Sequence, residues 1–255
     1  MVNSKLQTYL FMTVITLVSS LLLSYSYSAL KDMYEGNVKF DKKRNIIKSV
    51  GFDISSMSKE EILNNYSENI NEIVLDSKYN PTEDVAWEEL ISVEDKKSGI
   101  TYFINKDDKI KFDTNDEVKF NSVKKYLPLF FHSEKETFIF PISGKGLWST
   151  LFGFLALDKD KNTVKGITFY KHGETPGLGG EVDKEWFQNN FVGKKIFNDK
   201  NDLVSVEVIK GKSNTLSKSD QMHAVDGISG ATITSKGVSD FLLRDLVRYE
   251  GFLRR

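Results

Sequence analysis

The sequence contains no cysteine, and this absence excludes several classes of redox and metal site at once. Without thiols, the chain cannot form disulfides, thiolate zinc sites, Cys-ligated iron–sulfur clusters or a c-type haem attachment. Histidine is scarce as well. His132, His172 and His223 lie far apart, without the HxxxH or HExxH spacing that places two metal ligands on one helical face. Redox chemistry in this chain therefore needs an acquired cofactor.

Neither sign of charge dominates, since the sequence has 35 Lys and Arg residues and 36 Asp and Glu residues, for a formal net charge of −1. No basic field is available to attract nucleic acid, and no acidic tail indicates a solvating role. Nucleic acid is therefore not expected as a partner. The 255 residues suffice for one large or two small domains with a hydrophobic core after an apolar N-terminal segment.

The longest uncharged stretch lies at the N-terminus and runs from Leu6 to Leu30. A helix of this length crosses a hydrocarbon core of about 30 Å, so we predict a transmembrane helix over about residues 7–29. A cleavable signal peptide is the alternative, because Lys5 provides a thin basic region and Ser26-Tyr27-Ser28 is similar to a cleavage site. Either interpretation directs the remaining chain to or across a membrane.

The charges that follow this span leave its orientation open. Cytoplasmic loops carry an excess of Lys and Arg, and the basic run Lys42-Lys43-Arg44 comes after the span. That run begins more than ten positions later and is mixed with Asp32, Glu35 and Asp41, which weakens the bias. Charge alone does not settle which side of the membrane the C-terminal part occupies.

Helical patterns come before strand patterns in the rest of the chain. Met33, Tyr34 and Val38 recur at helical spacing, and Ser58 with Glu61 forms a capping-box signature that opens a second helix. Runs rich in strand-forming residues follow at 86–93, 101–106, 136–142, 151–157, 164–170 and 203–209. These patterns predict an α+β body with an antiparallel or mixed sheet.

A final helix is predicted from about Lys236 to Tyr249. Its apolar face consists of Val238, Phe241, Leu242, Leu246 and Tyr249. Gly251 is expected to end this helix, because glycine commonly follows a helix C-terminus.

The most specific segment is Asp226–Ser235, with the sequence DGISGATITS, which clusters small and hydroxyl residues just ahead of the final helix. Small side chains let another molecule approach the backbone closely. Free amides at a helix N-terminus favour a bound phosphate through hydrogen bonds and the helix dipole. Phosphate chemistry is thus one interpretation, and a turn that only caps the helix is the other.

Two further segments are rich in turn residues. Lys171–Gly180, with the sequence KHGETPGLGG, can bring backbone N–H groups close to a planar ring, although it is also typical of an ordinary turn. Gly144–Thr150 contains Trp148, which either contacts a cofactor or fills the core. Gly211-Lys212-Ser213 is not a Walker A loop, because Val206 stands where that motif requires its upstream glycine.

Together these segments resemble the FMN-binding domain family. DGISGAT is similar to the flavinylation motif of that family, Asp-x-x-Ser/Thr-Gly-Ala-Thr, in which FMN esterifies the last threonine, here Thr232. The resemblance implies that a separate flavin transferase uses FAD as donor and leaves FMN on the hydroxyl through a phosphodiester. HGETPGLGG is similar to the stretch that cradles the flavin in this family. The further flavin contacts that the resemblance implies are Trp148, Glu174, Thr175, Gly177, Leu178, Gly179, Ser229, Gly230 and Ala231.

Within this set, Glu174, Thr175 and Leu178 are expected to line the isoalloxazine ring. Thr232 is expected to be the sole acceptor, although Ser229, Thr234 and Ser235 are close by in the sequence. In this interpretation Ser229 orients the loop. Thr234 and Ser235 are expected where the final helix begins, where their hydroxyls cap backbone N–H groups. No residue of the chain is expected to be catalytic or to bind metal.

The order of the segments is similar to that in the family of C subunits of Na⁺-translocating NADH:quinone reductases. It comprises the anchor, a stretch beginning FDKKRNII, GLWS, HGETPGLGG and DGISGATITSKGV. The resemblance implies an electron-relay protein with covalent FMN, in a membrane complex that oxidises NADH, reduces quinone and pumps Na⁺. Other subunits of that complex are the implied partners. The implied location is the inner membrane, with the soluble domain on the periplasmic side.

The implied division of the chain is a membrane anchor over residues 1–30, a helical stalk or pre-domain over 31–95, and an FMN-binding domain over 96–255. Two alternatives remain. The G subunit of the ferredoxin:NAD⁺ oxidoreductase complex shares the anchor, flavin domain and threonine motif, but its chains tend to be shorter, and GLWS favours the quinone reductase. The other alternative is a membrane-tethered binding protein without redox activity, in which both glycine-rich loops are ordinary turns.

Overall fold

The computed structural model describes residues 4–255, and contact density divides the chain after Lys42 into two compact units. The helices are α1 Ser4–Ser49, α2 Lys59–Asn69, α3 Glu117–Ser122, α4 Glu185–Gln188, α5 Lys218–Gln221 and α6 Thr232–Leu253. The strands are β1 Ile70–Leu75, β2 Leu90–Glu94, β3 Thr101–Asn105, β4 Leu127–His132, β5 Thr137–Lys145, β6 Thr150–Leu157, β7 Val164–Lys171, β8 Glu207–Val208 and β9 Ala224–Val225. Short 3₁₀ turns cover Trp87–Glu89, Lys106–Asp108, Gly179–Asp183, Asn189–Phe191 and Ser213–Thr215.

The first unit consists of helix α1 up to Lys42. No proline interrupts α1, and the stretch Lys5–Ser49 is long and apolar enough to cross a membrane. Its large apolar side chains from Leu6 to Leu30 are exposed, as expected for a surface that a bilayer covers. The helices predicted for the anchor and for the first part of the stalk are confirmed as one continuous helix.

The second unit is built on a five-stranded sheet among the described residues, in the order β1-β4-β5-β6-β7. Every neighbouring pair in this sheet is antiparallel, which confirms the predicted α+β class. Helix α6 covers one face of the sheet with the predicted residues Val238, Phe241, Leu242, Leu246 and Tyr249, all of them buried. The ring of Tyr249 lies 4.9 Å from that of Phe140 on β5, and its hydroxyl donates to the carbonyl of Pro128 at 2.6 Å.

Two glycines allow α6 to lie close to β5. A Cβ at Gly144 would overlap the side chain of Phe241, and a Cβ at Gly237 would overlap the carbonyl oxygen of Lys145. Neither overlap involves the flexible end of a long side chain, so neither is relieved by a simple rotation. The close approach sets where the N-terminus of α6 stands relative to the sheet.

The region predicted as a stalk contributes directly to this sheet. The capping box of Ser58 and Glu61 is confirmed at the start of α2. The next element, β1, pairs with β4 from Ile70 opposite His132 to Leu75 opposite Leu127. The division at residues 30 and 95 stays a prediction, and the second compact unit of the structure begins instead at Lys43.

The last residues of α1 belong to this second unit and pack on β7. Thr168 Oγ1 donates to the carbonyl of Asn45 at 3.2 Å, and a side chain at Gly166 would overlap the carbonyl of Ser49. Strand β7 leads directly into the segment HGETPGLGG. The end of α1 thus supports the strand that delivers this loop.

Several sequence-based expectations were wrong in detail. Residues 203–209 form only the two-residue strand β8, and part of 86–93 is a 3₁₀ turn that precedes β2. Strands β1 and β4 were not predicted. They pair with each other across more than fifty residues, although β4 also forms a local hairpin with β5. Gly251 does not end α6, which continues to Leu253. Its missing side chain makes room for the ring of Tyr79, which packs against the helix at this position.

Candidate functional site

The structure brings the two glycine-rich motifs together at the N-terminus of α6. One motif follows β7, and the other connects β9 to α6. A Cβ at Gly230 would lie 2.8 Å from Leu178 Cδ2, and a Cβ at Gly179 would lie 2.6 Å from Thr234 Oγ1. A side chain at Gly179 would overlap Thr234, and Gly230 has a positive φ of 73° that other residues adopt only with strain, so glycine suits both contacts between the loops.

A cleft of about 890 Å³ opens beside this junction. Gly177, Ser229, Gly230 and Thr232 are the predicted site residues in its wall. The rest of the wall comes from three other parts of the chain. They are the segment from Glu207 to Lys212, the α6 residues Ser235, Lys236, Ser239 and Asp240, and the residues Glu181, Trp186, Gly227 and Ile228. Its volume lies within the range of 300–1,000 Å³ that is typical of sites for cofactors and other small molecules.

The hydroxyl residues of DGISGATITS occupy different environments. Ser229 and Thr232 are exposed, whereas Thr234 and Ser235 are only 1% and 5% exposed. Both buried hydroxyls are engaged, because Thr234 donates to Glu174 at 2.6 Å and Ser235 Oγ accepts the Ile228 N–H at 3.4 Å. Thr232 therefore differs from the two hydroxyl residues that follow it.

Helix α6 begins at Thr232, earlier than expected. Ala231 is the N-cap residue and provides no side-chain cap, so the prediction that Thr234 and Ser235 cap this helix was wrong. The first amides of an α-helix have no intrahelical partner, and here no capping side chain satisfies them. An uncapped N-terminus, together with the helix dipole, favours a phosphate group at this position.

Glu174 has a structural environment that the sequence did not predict. Its carboxylate accepts the N–H groups of Leu147, Trp148 and Ser149 at 3.1, 2.9 and 3.0 Å, in addition to the Thr234 hydroxyl. Burial by itself raises the pKa of Glu174, but these hydrogen bonds outweigh it and hold the pKa below its ordinary value. The carboxylate is therefore ionised at neutral pH. Its contact with an isoalloxazine ring stays a prediction.

Asp226 anchors the other end of the threonine motif. Its carboxylate pairs with Lys212 Nζ at 2.8 Å and accepts the Ser213 N–H and hydroxyl at 2.8 Å. The hydrogen bond from Lys212 is the main cause that lowers the pKa of Asp226 to about 2. The segment Gly211-Lys212-Ser213, excluded as a Walker A loop, thus holds the first residue of the motif in place.

The other predicted site residues surround the junction in different ways. Gly177 has a positive φ of 75°, which glycine adopts without strain. Thr175 and Leu178 are exposed, whereas Gly179 and Ala231 are buried. Trp148 is 72% exposed, and it is not part of the cleft wall. Their flavin contacts stay predictions.

Sequence reasoning missed the part of the cleft wall that lies outside the two glycine-rich motifs. This wall includes Trp186, whose indole N–H donates to Glu181 at 2.8 Å, and the loop from Glu207 to Lys212. The loop reaches the motif because β8 pairs in parallel with β9, with Glu207 opposite Ala224 and Val208 opposite Val225. The run 203–209 predicted a strand, but nothing in the local sequence indicated that this strand pairs with β9 and brings the following loop to the motif.

The arrangement fits FMN. The uncapped turn of α6 suits its phosphate, and the cleft has room for its ring system. Within residues 4–255 no group of three or more metal-ligating side chains is assembled.

The sequence and the fold both match known proteins. The model of the FMN-binding domain family matches residues 146–245, which include both glycine-rich motifs. The C subunit of the Na(+)-translocating NADH-quinone reductase of Pseudomonas aeruginosa is 36% identical over 247 residues, which cover 94% of this chain and 90% of the relative. Its counterpart from Vibrio vulnificus is 34% identical over 241 residues, with coverage of 91% and 88%. The crystal structure of the counterpart from Parabacteroides distasonis superposes with a TM-score of 0.66 at 31% identity, covering 89% of this chain and 98% of that one.

Proposed function

Because the chain belongs to the family of C subunits of Na⁺-translocating NADH-quinone reductases, we propose that it carries FMN in phosphodiester linkage to Thr232 and relays electrons within that complex. The similarity extends over nearly the whole chain, which favours this family over the G subunit of the ferredoxin-linked complex. An FMN-binding domain also argues against a tether without redox activity. Other subunits of the reductase are the partners.

The position of Thr232 is the observation that carries the proposal. This residue is exposed, it lines the cleft, and it is the first residue of a helix whose N-terminus lacks a side-chain cap. Thr234 and Ser235 are buried and hydrogen-bonded. Ser229 is exposed too, but it lies two residues before the N-cap Ala231, so a phosphate on it would be farther from the free amides of the first turn.

Attachment requires a reaction that another enzyme supplies. Thr232 Oγ forms a bond to the phosphorus of the FMN half of FAD, the pyrophosphate bridge breaks, and AMP leaves. A threonine hydroxyl is a weak nucleophile, so a base or a metal of the transferase has to activate it and remove its proton. The exposed start of α6 and the small residues that precede Thr232 in the motif leave room for such an enzyme.

The residues of the chain bind and orient the cofactor and do not themselves accept or donate electrons. FMN, when bound, supplies the capacity to accept and pass on electrons, and the protein supplies position and electrostatics. The first turn of α6 holds the phosphate, and the exposed Gly177 and Gly230 leave the backbone of the cleft wall accessible to the rest of the FMN molecule. The covalent bond prevents loss of the cofactor to the aqueous phase.

We place the unit from Lys43 onward on the outer, periplasmic face of the membrane, where the resemblance puts flavin attachment. The basic run Lys42-Lys43-Arg44 gives a mild opposing preference. A C-terminal reporter that is active only outside the cytoplasm tests this placement. Protection of the C-terminal unit from protease until the inner membrane is opened would contradict it.

Removal of the acceptor hydroxyl tests the attachment. Thr232→Val keeps the shape of the side chain but not the hydroxyl, so it should abolish both the covalent mass increment and the fluorescent band in a denaturing gel. Ser229→Ala is the matched control, since it removes the other exposed hydroxyl of the motif and should keep the full increment. Retention of flavin by Thr232→Val would show that another residue is the acceptor.

A further inference from the structure

A single buried carboxylate connects three segments of the site. Glu174 is 5% exposed, and its oxygens accept from the backbone of the turn between β5 and β6 at Leu147, Trp148 and Ser149. The Ser149 hydroxyl donates to the same carboxylate at 3.3 Å. The Thr234 hydroxyl, in the first turn of α6, donates at 2.6 Å. Glu174 therefore links the turn between β5 and β6 directly to the first turn of α6.

The surroundings of this carboxylate are built to hold it. A Cβ at Gly146 would lie 2.7 Å from Oε1, and a Cβ at Gly179 would lie 2.7 Å from Oε2. The backbone N–H of Glu174 donates to His172 Nδ1 at 3.3 Å, and this hydrogen bond restrains the backbone of Glu174. Glycine on both sides and donors to both oxygens leave the carboxylate little freedom to reorient.

The position of this group relative to Thr232 gives it a role in flavin attachment. Thr234 lies two residues after Thr232 in the same helical turn, on the buried side. With its hydroxyl donated to Glu174, Thr234 is unavailable as an acceptor, and the turn is fixed with Thr232 on the exposed side. The carboxylate also places a negative charge within hydrogen-bond distance of the first turn of α6, and such a charge disfavours the gain of further negative charge by a group close to it.

We propose that Glu174 is a positioning residue for the flavin: it fixes the first turn of α6 so that Thr232 is presented for attachment, and its charge lowers the reduction potential of the attached FMN. This inference rests on the proposed attachment at Thr232. It assigns the carboxylate a task that differs from direct contact with the ring. Glu174 acts through Thr234 and through its charge.

The test uses the full chain in its native host membranes, together with the endogenous transferase. Covalent occupancy is measured by intact mass after a short induction, and the midpoint potential of the attached flavin by spectroelectrochemical titration. Glu174→Gln should lower early occupancy several-fold and raise the midpoint potential, since it removes one negative charge. Glu185→Gln is the control, because it removes an exposed carboxylate that pairs with Lys48 and not with the first turn of α6, so it should change neither value.

A second variant separates the hydrogen bond from the charge. Thr234→Val removes the link to α6 but keeps the carboxylate, so early occupancy should fall while the potential stays at the wild-type value. Wild-type occupancy and potential in a folded Glu174→Gln protein would overturn the inference. If Glu174→Gln does not fold, wild-type early occupancy in Thr234→Val overturns it instead. Absence of covalent flavin on Thr232 in the wild-type chain would refute the proposed attachment, a different result from either.

Discussion

The exposed and buried sides of the first turn of α6 carry the same kinds of side chain but have different tasks. On the exposed side Thr232 lines the cleft, and on the buried side Thr234 donates to the Glu174 carboxylate. Two threonines separated by one residue are thus distinguished by burial and by hydrogen bonding. The hydroxyls of the motif thus divide into two that are exposed, on Ser229 and Thr232, and two that are buried and hydrogen-bonded, on Thr234 and Ser235.

The largest expected effect comes from the packing that supports the buried side. Gly237→Ala should destabilise the second unit by about 3 kcal/mol, because the added methyl group meets the Lys145 carbonyl and forces α6 away from β5. This overlap outweighs the gain of up to about 1 kcal/mol that alanine normally brings within a helix. Chemical denaturation in detergent measures the change.

The control for this substitution is Gly36→Ala in α1, where an added Cβ meets nothing within 4 Å. It should cause no loss of stability. If both variants behave alike, the close approach of α6 to the sheet is not what supports the buried side of the turn.

The two threonines themselves give the next largest contrast. Thr234→Val should cost about 2 to 3 kcal/mol of unfolding free energy, because it removes a donor from a buried carboxylate. Thr232→Val should change stability by no more than about 0.5 kcal/mol, as is usual for an exposed residue. Denaturation of the flavin-free forms compares the pair. Equal losses would show that the two sides of the turn are not distinct.

Much of this contrast could not be predicted from the sequence. The motif DGISGAT predicted where the candidate site lies, which stays a prediction, and the apolar spacing from Val238 to Tyr249 correctly predicted the face of α6 that packs on the sheet. The start of the helix was placed four residues too late, because Ala231 is an N-cap without the usual capping side chain. The role of the Glu174 carboxylate depends on donors 25 to 60 residues away, and no local pattern reports such contacts.

Asp226, the first residue of the threonine motif, should make the stability of the second unit depend on pH. Its pKa is lowered from 3.8 to about 2, chiefly by the hydrogen bond from Lys212, and because Lys212 is largely exposed, screening by solvent reduces the corresponding stability to about 1 kcal/mol. A carboxylate whose pKa is lower in the folded than in the unfolded chain stabilises the fold fully at pH values above the unfolded pKa. This stabilisation is lost as the pH falls through the folded pKa. Asp226→Asn should therefore be less stable than wild type by about 1 kcal/mol at pH 6, and the difference should vanish near pH 2. A difference that does not depend on pH would exclude the charge as its cause.

Trp148 should show the smallest effect. Its side chain is 72% exposed, and its backbone N–H is the group that Glu174 holds. Trp148→Ala should change the unfolding free energy by no more than about 0.5 kcal/mol. A loss above about 1 kcal/mol in a denaturant titration would show that the indole packs against the protein and belongs with the buried side.

The central claim is that Thr232 alone carries the flavin, and peptide mapping of the wild-type protein from its native host tests it most directly. After proteolysis, tandem mass spectrometry of the peptide that contains residues 226–235 assigns the modified residue. The account predicts one FMN increment per chain, located on Thr232. An increment on Ser229, Thr234 or Ser235, or an unmodified chain in an active complex, would contradict it.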